Sequence, residues 1–205
     1  MRNARKDFLM VAKADKILNQ SHFFNMNRIW TDKENNILYV TGFIGTGKSY
    51  LAEHFKERAG DSSVVIHLDS YFDAPIESQD EEFTKYLAAN GWNPVDYWSL
   101  RENDHYSQFT MISAFFKLLN RYAELMWNCN RNLIVEGLQI ADPGFRYFVK
   151  GKSVIVVIGK PIEREIRACR RNNGRFTIWG FWEAVKVNHE WKPMLNYFMK
   201  FVEET

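Results

Sequence analysis

One segment narrows the choice of fold more than any other: the octapeptide at residues 42–49, with the sequence GFIGTGKS. The apolar run at residues 37–40 precedes it and predicts a short strand. The residues that follow predict a helix over residues 48–58, which Gly60 closes as a C-cap. A strand that passes through glycines directly into a helix is the setting in which this spacing of glycine, lysine and serine has a chemical meaning.

The octapeptide, which we call the glycine loop, fits the pattern G-x-x-x-x-G-K-[ST] (Walker A) in full. Glycines let backbone N–H groups converge on phosphate oxygens, and the start of the helix adds a favourable dipole. We expect Lys48 to reach the terminal phosphates of ATP, and Ser49 to place its hydroxyl on Mg²⁺. The alternative is a strand-to-helix turn that holds no ligand. The predicted nucleotide-binding residues are Gly42, Gly45, Thr46, Gly47, Lys48, Ser49 and Tyr50.

Three more apolar runs, at residues 64–68, 133–135 and 154–158, predict strands after the glycine loop. Between them the sequence predicts a helix over residues 80–89 and a long helix whose apolar face runs from Phe109 to Met126. Strands that are apolar on both faces and alternate with helices predict an α/β fold. We expect a parallel sheet of four or five strands with helices on both faces.

The two ends of the chain depart from this alternation. Residues 4–19 predict an amphipathic helix, within a helical N-terminal extension over residues 1–30. A fifth strand is expected after the fourth, but residues 177–204 predict an aromatic-rich helix around Pro193. Its aromatic residues are interpreted as core or as the subunit interface of a homodimer. They are Trp179, Phe181, Trp182, Trp191, Tyr197 and Phe198.

Length and composition favour a single domain over residues 1–205, since no repeat or linker divides the chain. Lys and Arg number 27 against 25 Asp and Glu, so any basic site must be local. The two cysteines, Cys129 and Cys169, form no metal-spaced or redox pair, as expected in a reducing compartment. No apolar run has the length of a signal peptide or a membrane span. We therefore expect a cytoplasmic protein without a membrane partner.

Polar or flexible residues follow each of the four predicted strands. Gly42, Asp69, Glu136 and Gly159 all stand at carboxyl ends. Ligands of parallel sheets bind beyond those ends. We therefore expect four separate segments to meet at one site.

Four further segments have the sequences VVIHLDSYF (64–72), WNPVDY (92–97), LIVEG (133–137) and an arginine-rich stretch at 164–175. In this order, and with the glycine loop, they resemble the uridine kinase and phosphoribulokinase branch of the P-loop kinases. The segments are similar to that branch's second strand, its acceptor segment, its strand ending in Glu-Gly and its lid. The resemblance covers residues 37–175. It implies an ATP- and Mg²⁺-dependent nucleoside kinase, a transferase that phosphorylates a hydroxyl of a nucleoside-like small molecule.

Two carboxylates are candidate catalytic residues. Asp69 lies where the resembling family places its general base, so it could accept the proton of the acceptor hydroxyl or orient that hydroxyl. Its alternative is a turn or helix-cap aspartate. Glu136 could hold Mg²⁺ directly or through water, or polarise the acceptor, and its alternative is a packed strand-end residue. Asp73 is a lesser candidate for the same acidic cluster.

Residues 160–176 form the lid-like segment, where six basic residues stand against two acidic ones. Guanidinium groups can neutralise charge on the transferring phosphoryl, and Arg167 and Arg171 are the predicted catalytic arginines. They share a helical face with Arg164. The alternative is a solvated basic helix with pairs such as Glu163 with Arg167.

The predicted acceptor residues are Asp69, Tyr71, Phe72, Trp92 and Tyr97, because a planar base stacks well on aromatic rings. The alternative for each ring is a place in the core.

Two other functions remain open beside the small-molecule kinase. The same chemistry could act on a modified base within DNA, with the basic lid and exposed aromatics gripping a flipped nucleotide. The chain could instead be a nucleotide-dependent switch or assembly ATPase whose acidic residues activate water. ATP turnover without an acceptor would favour this last class.

Overall fold

A parallel sheet lies at the centre of the computed structural model, which describes residues 9–12, 36–72, 81–92, 105–150 and 152–203. Its strands are β1 (Leu9–Ala12), β2 (Ile37–Gly42), β3 (Ser63–His67), β4 (Asn132–Glu136) and β5 (Ser153–Val157). The strand order is β1-β5-β2-β4-β3, and every neighbouring pair is parallel. The predicted α/β fold with a parallel sheet is therefore confirmed.

Helices cover both faces of this sheet. They are α1 (Lys48–Ala59), α2 (Asp69–Phe72), α3 (Glu81–Ala89), α4 (His105–Asn128), α5 (Arg146–Val149), α6 (Pro161–Asn173) and α7 (Ile178–Glu203). On one face α1 packs Leu51 and Phe55 against strand residues such as Val40. On the other face α4 packs Phe116 beside Tyr39. None of the helices in the described ranges is long and apolar enough to cross a membrane.

The order of the strands fixes where a ligand can bind. The chain leaves β2 for β3 at one edge, returns to β4, and then crosses to β5 on the other side of β2. The carboxyl end of β2 is therefore the point at which the winding reverses, and open parallel sheets bind ligands at such points. The glycine loop begins there.

The N-terminal segment differs from its prediction. Residues 9–12 form a strand, with Leu9 opposite Val154 and Ala12 opposite Val157, so the helix predicted over residues 4–19 is wrong at these positions. The run LMVA is too short for its periodicity to separate a helix from a strand, and β5 offers an edge with which it pairs. The remainder of the predicted 1–30 extension lies outside the described residues. The fifth strand thus precedes the glycine loop instead of following the lid.

The C-terminal helix is confirmed, since α7 includes Pro193 and all six of its predicted aromatic positions. Trp191 and Phe198 are buried, as expected of core residues. Trp179, Trp182 and Tyr197 are 80%, 60% and 53% exposed, so the interpretation as core is wrong for these three, because they lie on the solvent side of α7. For them the alternative, a subunit interface, stays a prediction.

Candidate active site

The backbone of the glycine loop adopts a shape that requires glycine at two close approaches. Gly42 has a φ of 147° and Gly45 a φ of 79°, a region that other residues rarely adopt. A Cβ atom at Gly42 would stand 2.1 Å from the carbonyl oxygen of Val157. One at Gly45 would stand 2.0 Å from the carbonyl oxygen of Arg164. The loop is therefore pressed against the end of β5 and the first turns of α6.

Two side chains hold the loop from within. Thr46 Oγ1 donates to the carbonyl oxygen of Phe43 at 2.8 Å, and the buried Lys48 Nζ donates to the same oxygen at 3.3 Å. The lysine side chain therefore folds over the loop that precedes its own helix. Its positive charge therefore lies at the Phe43 carbonyl oxygen, within the glycine loop.

Ser49 and Glu136, the two residues predicted to hold magnesium, are in contact. Ser49 Oγ donates to Glu136 Oε1 at 2.9 Å. The contact follows from the sheet, because β2 and β4 are neighbours and Val40 lies opposite Glu136. Glu136 ends β4 and is only 2% exposed. The predicted pair is therefore in contact beside the glycine loop, with Glu136 buried and Ser49 half-buried.

The Glu136 carboxyl is charged despite its burial. Burial raises its pKa, but the hydrogen bond from His67, the charge of Lys48 and the hydrogen bond from Ser49 outweigh it, so the pKa lies below its ordinary value. Its second oxygen, Oε2, is buried and has no hydrogen-bond partner among the described residues. A buried acceptor without a donor needs an explanation. Oxygen ligands of this kind, a carboxylate beside a hydroxyl, are those that Mg²⁺ or its bound water takes.

His67 belongs to the site, although the sequence alone does not point to it. It ends β3 and lies opposite Glu136 in the sheet. Its Nδ1 is 2.7 Å from Glu136 Oε1, and its Nε2 is 3.2 Å from Glu53 Oε1. Burial lowers the pKa of His67, but these two carboxylates prevail and raise it. His67 and Glu136 each end an apolar strand, but only the pairing of β3 with β4 brings the two side chains together.

Asp69, the predicted base, begins α2, and only Leu68 separates it from the end of β3. Its Oδ1 accepts a hydrogen bond of 2.7 Å from Nε2 of the buried Gln139. The backbone N–H of Leu68 donates to the carbonyl oxygen of Glu136 at 2.9 Å, which places Asp69 one residue beyond the paired strand ends. The two predicted carboxylates therefore lie at the same end of the sheet. Gln139, the hydrogen-bond partner of Asp69, is a further residue of the site that the sequence did not indicate.

The arginine-rich helix α6 lies against the glycine loop. Arg167 and Arg171 line a cavity of about 210 Å³, together with Gly45, Gly47, Lys48, Ser49, Tyr50 and Ala168. Glu163 pairs with Lys160 at 2.8 Å, whereas Arg167 Nε donates to the backbone oxygen of Glu163. The structure thus brings the two predicted arginines to the same cavity as Lys48 and Ser49.

Arg164 has a different role from the other two arginines on its face. Its guanidinium lies 4.1 Å from the centre of the Phe43 ring, and its Nε donates to Glu165 Oε1 at 2.7 Å. A cation over an aromatic face is an attractive contact. Arg164 therefore joins α6 to the glycine loop instead of lining the cavity.

The C-terminal helix also reaches the loop, through Asn188. This side chain, 1% exposed, accepts from the Ile44 N–H at 2.9 Å and donates to the Ile44 carbonyl oxygen at 3.3 Å. Its Nδ2 also lies 3.1 Å from Glu165 Oε1. The C-terminal helix, which departs from the alternation of strands and helices, therefore supports the glycine loop.

Three of the predicted acceptor rings lie in the core. Tyr71, Phe72 and Trp92 are buried, and the ring of each packs against Phe115, with the rings of Phe72 and Phe115 4.7 Å apart. This is the core placement that was weighed as the alternative, and contact with an acceptor stays a prediction for these rings. Tyr97 and Asp73 lie outside the described residues.

Comparison of the chain with known protein families, with curated proteins and with solved structures finds no match.

Proposed function

We propose that the protein is an ATP- and Mg²⁺-dependent phosphotransferase that moves the γ-phosphoryl group of ATP to a hydroxyl of a nucleoside-like small molecule. One observation carries the proposal. The end of β2 brings a complete phosphate-loop sequence into contact with a buried, charged Glu136 whose Oε2 has no partner among the described residues. In a glycine-rich turn that binds no ligand, the buried charge of Glu136 would have no explanation. The same holds for its Oε2, which has no partner among the described residues.

The triphosphate would be bound by the loop and the cavity beside it. Backbone N–H groups at the start of α1 attract phosphate oxygens, and Lys48 adds a positive charge at the same place. Arg167 and Arg171 face the cavity from α6, where planar guanidinium groups suit phosphate oxygens.

Ser49 and Glu136 would hold Mg²⁺ or its bound waters. The bound ion supplies charge neutralisation at the phosphate oxygens. The serine hydroxyl can donate to Glu136 while its lone pairs face the ion, so the observed hydrogen bond of 2.9 Å is compatible with a loaded site.

Asp69 would orient the acceptor hydroxyl and take its proton. Gln139 holds one carboxylate oxygen of Asp69, which fixes the direction of the group. As the acceptor oxygen forms its bond to the γ-phosphorus, the bond to the bridging oxygen of ATP breaks and ADP leaves. Arg167 and Arg171 would stabilise the negative charge on the transferring phosphoryl.

A second acceptor class is favoured by the start of α7. Trp179 and Trp182 are strongly exposed there, Phe176 is exposed just before the helix, and the basic residues Arg170 and Arg175 lie close by in sequence. Exposed rings beside arginines suit stacking on nucleic-acid bases. The same transfer could therefore act on a hydroxylated base within DNA.

The test offers γ-labelled ATP and Mg²⁺ to the protein with separate pools of nucleosides, nucleotides and DNA carrying hydroxylated bases. Label in a nucleoside or nucleotide at turnover of roughly 1 to 100 per second supports the proposal. Label in DNA supports the second acceptor class. Release of free phosphate with no labelled acceptor would identify a switch or assembly ATPase instead. Lys48→Ala serves as the control, and equal labelling by that variant would overturn the assignment of the loop.

A further inference from the structure

Four side chains form a continuous hydrogen-bonded row across the carboxyl end of the sheet. Ser49 and His67 both meet Glu136 Oε1, at 2.9 Å and 2.7 Å, and the far nitrogen of His67 meets Glu53 Oε1 at 3.2 Å. The row begins beside the phosphate loop and ends on the outer side of α1. Only Ser49 and Glu136 belong to the site as the sequence predicts it.

The partners of His67 fix the direction of its ring. Both ring nitrogens face carboxylate oxygens, and an ionised carboxylate can only accept hydrogen bonds. Both nitrogens therefore donate, one to Glu136 and the other to Glu53. A ring held at both ends cannot turn away from Glu136 without losing two charge-assisted hydrogen bonds.

The two oxygens of Glu136 are in contrasting situations. Oε1 receives donors from two different strand or helix ends, Ser49 and His67. Oε2 is buried and receives none from the described residues. A carboxylate rotates readily about its last bond, so the contrast would be lost if nothing held Oε1. His67 makes the shorter of the two contacts.

We propose that His67 is a positioning residue for Glu136: by holding Oε1 it turns Oε2 towards Mg²⁺ or a magnesium-bound water. The identity of the ion rests on the proposed function, whereas the hydrogen-bonded row does not. Outer partners that orient metal ligands commonly change metal affinity by about tenfold to a hundredfold when they are removed. His67 therefore acts through Glu136 and need not touch the nucleotide.

Glu53 supplies the matched control for this row. Its side chain is 41% exposed, against 3% for that of Glu136. An exposed ion pair contributes little, and solvent can replace its hydrogen bond. Glu53→Gln should therefore leave the metal site nearly unchanged, while substitution of His67 should not.

Two variants of His67 separate positioning from packing. His67→Leu introduces an apolar side chain of similar bulk and removes both donors. His67→Asn is smaller, but its amide nitrogen can take the place of Nδ1 and donate to Glu136 Oε1. If only packing mattered, leucine would be the milder change, whereas positioning makes asparagine the milder one.

The experiment measures binding of Mn²⁺, as a probe for Mg²⁺, to the ATP-loaded protein by electron paramagnetic resonance, with ATP binding in EDTA measured alongside. We expect His67→Leu to weaken Mn²⁺ binding about tenfold or more, His67→Asn to restore most of that loss, and metal-free ATP binding to stay constant. A folded His67→Leu variant with wild-type Mn²⁺ affinity would overturn the proposal. So would an asparagine variant as weak as the leucine one. If His67→Leu does not fold, wild-type affinity in a folded His67→Ala variant would overturn it equally.

The outcomes also distinguish this inference from the proposed function. Mn²⁺ binding that depends on His67, in a protein that transfers no phosphoryl group, would overturn the phosphotransferase and leave the positioning role standing. Phosphoryl transfer with Mn²⁺ affinity independent of His67 would do the reverse. Failure of the wild-type protein to bind Mn²⁺ with ATP would overturn both.

Discussion

Asn188 binds both polar groups of Ile44 with a single side chain, accepting from its N–H at 2.9 Å and donating to its carbonyl oxygen at 3.3 Å. The two residues are 144 positions apart in sequence. Ile44 lies in the glycine loop between Gly42 and Gly45, two glycines with positive φ angles. The amide of Asn188 therefore fixes the position of Ile44 within the glycine loop.

Replacing Asn188 by alanine should destabilise the protein by about 1–3 kcal/mol, because it leaves the part-buried Ile44 N–H without its acceptor. Asn188→Asp should cost more than alanine does. The aspartate keeps the acceptor for Ile44 but loses both donors and sets a second carboxylate beside Glu165 Oε1. Chemical unfolding of the three proteins measures both differences. An aspartate variant as stable as the wild type would show that the amide group is not in this contact.

Lys48→Ala should reduce phosphoryl transfer by about a hundredfold or more, because the ammonium group acts on charge that develops in the transferring phosphoryl. The melting temperature should stay close to the wild-type value although the rate of transfer falls. Single-turnover assays and thermal unfolding measure the two effects. Transfer at the wild-type rate by the Lys48→Ala variant would show that the glycine loop takes no part in the reaction.

Asp69→Asn separates a kinase from a protein that only binds ATP. Asparagine can still accept from Gln139 through its Oδ1, so the local packing should persist. The basicity is lost, and transfer should fall by about a hundredfold to ten-thousandfold. ATP affinity should barely change. A joint loss of affinity and rate would instead make Asp69 a metal or structural residue.

Arg167 and Arg170 offer a matched pair on one helix. Both side chains are exposed, but Arg167 lines the cavity beside the glycine loop and Arg170 does not. Arg167→Ala should weaken ATP binding about tenfold, the effect of one lost hydrogen bond to a charged group, and Arg170→Ala should leave it unchanged. Isothermal titration measures both. Equal losses of ATP affinity in the two variants would indicate a general electrostatic attraction of ATP to α6 instead of a specific contact with Arg167.

The ion pair of His67 and Glu136 predicts how stability depends on pH in the metal-free protein. The pKa of His67 is raised above its ordinary 6.5, so its contribution is fully present below 6.5 and is lost as the pH rises through the raised value. The pKa of Glu136 is lowered below its ordinary 4.5, so its contribution is present above 4.5 and is lost as the pH falls through the lowered value.

The difference in unfolding free energy between the wild type and His67→Leu should therefore be largest between about pH 4.5 and 6.5 and should shrink at higher pH. Urea unfolding in EDTA across this range measures it. A difference that does not vary with pH would mean that His67 contributes by packing alone.

The parts of the site that the sequence predicts are those specified by local spacing. Gly45, Lys48 and Ser49 are fixed by one octapeptide, and Glu136 follows from its place at the end of an apolar strand. Since neighbouring parallel strands end together, contact between Ser49 and Glu136 is an expectation that the order of the motifs already supports.

The parts that escape prediction depend on register or on distant packing. The contact of His67 with Glu136 needs β3 and β4 to be neighbours in one register, which no local pattern gives. In the sequence Asn188 is one polar residue of a long helix. Nothing local indicates its contact with Ile44, because the two residues are 144 positions apart. The four residues of β1 are too few for their periodicity to exclude a helix.

The pairing of β1 with β5 imposes an order of events during synthesis. Leu9 leaves the ribosome early, but Val154, its neighbour in the sheet, follows only after β2, β3 and β4 have been made. At the ordinary pace of translation the wait is about 7 to 30 s. Throughout that interval β1 lacks β5, its pairing strand among the described residues, and an unpaired strand edge can pair wrongly. The edge strand β1 can therefore join the sheet only after β5 has been synthesised, later than β2, β3 and β4 can pair with one another.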